Sequence, residues 1–137
     1  MQIQEVQQQI VEEFSLFPEW LDKYEYLIEL GKSLPIIEEN NKTEENLIKG
    51  CQSRVWLNCS YKDGKLWFSA DSDAIITKGI ISLLIKVYDG RTAKEILDNP
   101  PLFINEIGLQ QNLSPTRANG LVSMIETIWS YAKKHLE

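Results

Sequence analysis

The chain has 137 residues, 43% of them hydrophobic and 25% charged, with a formal net charge of -6. That length suits one domain over residues 1–137 around one core, and is short for two. The acidic balance argues against nucleic acid as a partner, because nonspecific capture of phosphates needs clustered lysine and arginine.

The first stretch, Met1-Gln2-Ile3-Gln4-Glu5-Val6, lacks the basic and apolar regions of a secretory signal, so the expected location is the cytoplasm. Ile3, Val6, Ile10, Phe14 and Phe17 recur at helical steps among Gln and Glu and predict an amphipathic first helix. Pro18 suits the first turn of a second helix with Trp20, Tyr24, Leu27 and Ile28 on its apolar side, and Gly31 suits a left-handed residue that ends it. From Lys32 to Thr43 the charged composition has no helical or strand period and reads as a surface loop. Asn46-Leu47-Ile48-Lys49-Gly50-Cys51 then reads as a short extended segment that breaks at Gly50, which puts Cys51 at a turn.

Val55, Leu57, Cys59 and Tyr61 alternate with Trp56, Asn58 and Ser60, and Leu66, Phe68 and Ala70 alternate with Trp67, Ser69 and Asp71, around a Lys62-Asp63-Gly64-Lys65 turn. A two-residue Asp63-Gly64 turn pairs Tyr61 with Leu66, Cys59 with Phe68, Leu57 with Ala70 and Trp56 with Asp71. That register brings the Cys51 to Arg54 segment close to Asp71, Ser72 and Asp73. Ser72 or Asp73 is the expected cap of a helix over Ala74 to Tyr88, apolar on nearly every side and so central to the core. Its apolar run is broken by Thr77, Lys78, Gly79 and Ser82 and falls short of the roughly 20 residues that cross a bilayer, so no membrane is expected.

Thr92 with Glu95 forms a capping box for a short helix that Pro100-Pro101 ends, and a further helical turn is expected over Leu102 to Ile107. Ser114-Pro115 opens a long last helix with Ala118, Leu121, Val122, Ile125, Trp129 and Ala132 along one side. Helices, a small sheet and more helices make an α+β fold: a hairpin with a short third strand against a buried central helix, flanked by N- and C-terminal helices.

Chemistry has few candidates. Two cysteines and one histidine do not make a four-ligand zinc or iron-sulfur site without carboxylates or a second chain, so no metal is expected. In a reducing compartment both cysteines are expected as thiols. His135, at the end of the last helix, reads as a solvated cation and not as the base of a hydrolase. No phosphate loop or dinucleotide fingerprint occurs. Cys59 falls on the apolar strand face and reads as a small hydrophobe. Cys51 reads two ways, as a structural thiol in a polar turn or as a nucleophile whose thiolate Lys49 and Arg54 would favour. Arg117 falls in a first helical turn, where the helix dipole disfavours a cation, and is either a surface arginine or one answering to a ligand. Asp71 and Asp73 are hairpin-end and capping groups on one reading, site groups on the other.

Taken together, Tyr24 to Pro35, Gly50-Cys51-Gln52-Ser53-Arg54-Val55-Trp56, Asp71-Ser72-Asp73-Ala74 with Lys78-Gly79, and Leu113-Ser114-Pro115-Thr116-Arg117 with Gly120-Leu121 resemble, in order, segments of the SufE family of cysteine desulfuration proteins. The similarity runs from about Phe14 to Met124. It implies a SufE/IscU-like fold and a sulfur acceptor on which Cys51 forms a persulfide. Gly50, Gln52, Ser53, Asp71, Ser72, Asp73 and Arg117 would support the site or the partner contact. The implied partners are a SufS-like cysteine desulfurase, which the acceptor activates, and a downstream iron-sulfur scaffold, with a homodimer open as well. No cofactor is expected on this chain, pyridoxal phosphate residing on the desulfurase. Three other readings compete. A regulatory partner of a desulfurase would leave Cys51 unreactive, a scaffold would need about three converging cysteines, and a thiol peroxidase would form a sulfenic acid.

Overall fold

The structure, a computed structural model, describes residues 1–136. Helix α1 (Ile3–Ser15) buries Ile3, Val6, Ile10 and Phe14 of the predicted stripe, while Phe17 lies beyond the helix end and is half-buried. Helix α2 (Trp20–Gly31) lies beside it, joined through the Phe14, Phe17 and Tyr26 rings and a Tyr26 hydroxyl that donates to Glu13. Its N-cap is Glu19, so Pro18 precedes the helix and is not in its first turn. Gly31 also departs from expectation: it stays helical, without a positive φ. A Cβ there would stand 3.1 Å from the Gly79 backbone nitrogen, so the glycine serves close approach of two helices and not a left-handed cap.

Strands β1 (Val55–Lys62) and β2 (Lys65–Ser72) pair antiparallel in the expected register, Tyr61 to Leu66, Cys59 to Phe68, Leu57 to Ala70 and Trp56 to Asp71. Asp63 and Gly64 take φ of 55° and 76°, the doubly left-handed turn whose twist matches a hairpin. The expected third strand shrinks to one bridge, Leu47 with Trp56, next to an Ile48 N–H that donates to the Val55 carbonyl at 2.8 Å. The chain leaves the sheet at Lys49-Gly50, which is what frees the next residues to form a loop.

The outer edge of β2 is closed piecewise. Ala70 exchanges backbone hydrogen bonds with Pro35 and Ile37, Leu66 N–H donates to Arg91, and Phe68 N–H donates to the Asp89 carboxylate at 2.7 Å. The connector that reads as featureless therefore has a task, since an uncovered strand edge invites pairing with another chain.

Helix α3 (Ile75–Tyr88) packs against β2, α1, α2 and the last helix and buries Ile80, Ile81, Leu83, Leu84, Ile85, Val87 and Tyr88. After the Thr92–Glu95 capping box come α4 (Ala93–Asp98) and α5 (Phe103–Glu106). Helix α6 (Pro115–Lys134) opens with the Ser114 hydroxyl accepting from Arg117 N–H. Its buried side is Leu121, Met124, Ile128 and Ala132, while Val122 is exposed. The predicted stripe holds except at Val122, with Ala118, Ile125 and Trp129 partly buried against the core, and it is widened by Gly120 and Met124, which line the Cys51 cavity. The fold is α+β, and no helix among the described residues is long and apolar enough to cross a membrane.

Candidate functional site

Residues 49–54 form a loop whose base is closed by Ile48 and Val55. Gly50 takes φ +91°, outside the range of ordinary side chains, and this reverses the chain so that Cys51 turns inward. Cys51 Sγ lies 3.6 Å from the Gly120 carbonyl oxygen, to which the thiol donates. Gly120 makes room for it: a Cβ there would stand 3.3 Å from the sulfur. The far end of the loop is held by Asp73, whose carboxylate accepts from Arg54 N–H at 3.0 Å and whose own N–H donates to the Arg54 carbonyl at 3.2 Å.

Behind the loop is a cavity of about 220 Å³. Cys51, Gln52 and Ser53 line one wall, Thr77 and Ile80 of α3 a second, and Ser114, Thr116, Arg117, Gly120 and Met124 of α6 the third. The half-buried thiol is pushed above its ordinary value by burial, so at neutral pH it rests protonated. Lys49 and Arg54, expected to favour a thiolate, are both exposed, and loss of water around the sulfur outweighs any cation.

The model of the SufE family, described as an Fe-S metabolism associated domain, matches residues 8–132. The chain belongs to the SufE family. That places it among proteins of iron-sulfur metabolism. An uncharacterised SufE-like protein of Rhizobium meliloti (strain 1021) is 42% identical over 134 residues, 93% of this chain and 95% of its own. SufE-like protein 1, chloroplastic/mitochondrial, of Arabidopsis thaliana is 41% identical over 95% of this chain, which spans 35% of the plant protein. The solution structure of a hypothetical protein from Thermus thermophilus agrees at a TM-score of 0.77 over 95% of both chains, with 22% identity, and shows the shared fold.

Within this SufE chain the residues singled out by sequence fall into three groups. Gln52, Ser53 and Arg117 share the Cys51 cavity, and Gly50 and Asp73 shape and anchor its loop. Ser72 accepts from Ala74 N–H, so neither Ser72 nor Asp73 caps the first turn of α3. Asp73 is drawn off by Arg54 instead. Asp71 stands apart from the cavity in an ion-pair network with Lys42 at 2.7 Å and Lys78 at 3.4 Å. Burial alone would raise its carboxyl, but Lys42, the Ser72 N–H and Lys78 outweigh that and hold it below its usual range.

Cys59 is half-buried, and burial together with the Asp89 carboxylate pushes its thiol up to about 11, which keeps it inert. His135 stacks on Tyr61 at 4.2 Å, about 22 Å along α6 from Gly120. Among the described residues no three His, Cys, Asp or Glu side chains gather as a metal site.

Sequence reasoning missed Thr77, Ile80, Ser114, Thr116, Gly120 and Met124 as cavity walls. Gly120 carried a signal, since glycine inside a helix costs about 1 kcal/mol relative to alanine and asks for a packing reason. The Asp73 anchor gives a direct expectation. Asp73→Ala loses one exposed hydrogen bond, about 1 kcal/mol, and should raise iodoacetamide alkylation of Cys51 about fivefold in a Cys59→Ser background. A rate equal to that of the Cys59→Ser parent would show that Asp73 does not hold the loop.

Proposed function

We propose that this chain is a sulfur acceptor and carrier, which takes persulfide sulfur from a SufS-like cysteine desulfurase onto Cys51 and passes it to iron-sulfur cluster assembly. The observation that carries this reading is the position of Cys51: a free thiol on a short, glycine-hinged loop, turned into a cavity with room beyond its sulfur.

A carrier thiol has two tasks, to attack in one place and to be kept from reductants in another. In the closed loop the thiol is protonated and unreactive. Swung outward, Cys51 regains water and its thiolate. It then attacks the outer sulfur of the desulfurase Cys-S-SH. A bond forms between Cys51 Sγ and that sulfur, the desulfurase S–S bond breaks, and the desulfurase thiolate leaves. Pyridoxal phosphate belongs to the desulfurase, where it frees sulfur from cysteine, and this chain supplies no cofactor. The compartment that fits is the cytoplasm, although the plant relative is named for organelles.

The test is to mix the reduced protein with a cysteine desulfurase from the same source and free cysteine, then take non-reducing masses of the intact chain and its peptides. One added sulfur on the Cys51 peptide, removed by reductant and absent from Cys51→Ser, is the expected result. Full stimulation of the desulfurase by Cys51→Ser would instead make the chain a regulatory partner.

A further inference from the structure

Two polar side chains are counted with the core among the described residues, Gln7 and Thr77. Gln7 is fully used: its amide donates to the Pro100 carbonyl and its oxygen accepts from Phe103 N–H at 3.0 Å. Thr77 is 6% exposed, and its hydroxyl has no hydrogen-bond partner among the described residues. Elsewhere helical hydroxyls bond back four residues, as Ser123 does to Asn119 and Thr127 to Ser123. Among the described residues no side-chain oxygen or nitrogen is sealed away without a partner, so the Thr77 hydroxyl keeps some accessible surface, and Thr77 lines the cavity with Cys51. A hydroxyl in the middle of an apolar run is costly unless something uses it.

The same cavity lies at the N-terminal ends of two helices. Thr77 is in the first turn of α3, which has no side-chain cap and no acidic residue in that turn, and Ser114, Thr116 and Arg117 open α6, also without a first-turn acid. Both ends carry the positive pole of the helix dipole, and Arg117 adds a full charge. Although burial disfavours a charge on Sγ itself, these helix ends and Arg117 favour a negative group that reaches past Sγ into the cavity. A persulfide places one there, an outer sulfur about 2.05 Å from Sγ that ionises more readily than a thiol.

We infer that Thr77 is a positioning residue for the carried sulfur, its hydroxyl donating a hydrogen bond to the outer sulfur of a Cys51 persulfide stored in the cavity. The inference rests on the sulfur-carrier reading. The persulfide proton goes to solvent, the negative charge stays on the outer sulfur, and Thr77 keeps its own proton while donating.

The test avoids the desulfurase. Protein in a Cys59→Ser background is loaded with inorganic polysulfide. The Cys51 thiolate takes one sulfur, and a shorter polysulfide leaves. The lifetime of the one-sulfur mass increment and the pH midpoint for alkylation of the persulfide are then followed in wild-type Thr77, Thr77→Val, Thr77→Ala and Thr77→Ser proteins. Loss of one hydrogen bond to a charged sulfur should move the midpoint up by about one pH unit and shorten the lifetime about tenfold in Thr77→Val and Thr77→Ala, with Thr77→Ser matching threonine. Alkylation of the unloaded thiol should not change. Valine and alanine variants that match threonine in both readings would overturn the assignment, as would polysulfide that adds no sulfur to folded Cys51. Loading by polysulfide but not by a desulfurase would count against the proposed partner, while the midpoint shift would still decide the role of Thr77.

Discussion

Gly79→Ala is expected to lose about 2 kcal/mol or more of stability, a fall of about 8 °C in Tm. A Cβ at Gly79 would overlap the Leu27 carbonyl oxygen and stand 2.8 Å from the Leu27 carbonyl carbon and 2.9 Å from Leu27 Cγ. The two nearest of these atoms belong to the main chain and have no rotamer through which to withdraw. Helix α2 must therefore move off α3, opening a gap beside Ile80 and Leu27, both fully buried. Overpacking of this kind costs about 1 to 3 kcal/mol, and backbone contact sets it at the top of that range. The better helix propensity of alanine returns about 1 kcal/mol. Gly31→Ala is the control. Its nearest contacts are 3.1 to 3.4 Å, so propensity and crowding should nearly cancel and stability should stay within about 1 kcal/mol. Urea or thermal unfolding of the two variants checks the pair. An alanine at 79 as stable as glycine would mean that α2 and α3 do not meet backbone to backbone.

Those glycines also mark where the sequence could be read and where it could not. The hairpin was legible to the residue because its period of two and its turn chemistry are local, and one Asp63-Gly64 turn fixes every later pair. The caps at Thr92 and Ser114 were legible for the same reason. Gly31 was misread because a glycine at a helix end and a glycine at a helix crossing look alike until the partner helix is known. The coverage of β2 by Pro35–Ile37 and by the Asp89 carboxylate was invisible, since no local pattern announces an edge that needs closing.

At the site, adjacency in sequence carried Gln52 and Ser53 to the cavity with Cys51, and the odd placement of a cation carried Arg117. Asp71 and Asp73 showed the limit of that logic. Both sit at the hairpin end beside the loop, but Lys42 arrives from the connector to take Asp71, and Arg54 takes Asp73. Thr77 lay hidden because a threonine in an apolar helix reads as a tolerated interruption. Only burial without a partner sets it apart from a neighbour such as Ser82, whose hydroxyl donates to Leu30.

Gly50→Ala is expected to open the Cys51 loop, with about thirtyfold faster alkylation of Cys51 in the Cys59→Ser background. Two effects add. At φ +91° an L side chain is disfavoured by about 1 to 2 kcal/mol. The new Cβ would also meet Ser123 Oγ at 2.5 Å. That oxygen belongs to a rotatable hydroxyl that donates to Asn119, so crowding is the part that a second change can remove. Ser123→Ala added to Gly50→Ala should recover a fraction of the closed state and leave the backbone strain, while Ser123→Ala alone should alkylate as wild type does. Because burial raises the thiol in the closed loop, opening lowers it towards its ordinary value, and the thiolate fraction at a given pH increases. The ratio of variant to wild-type rate should therefore be largest below the raised closed-state value and shrink above it, where both forms are ionised. Global unfolding should shift little, since the loop opens locally. An alkylation rate that Gly50→Ala leaves unchanged across pH would mean that the inward turn at Gly50 does not keep the thiol closed.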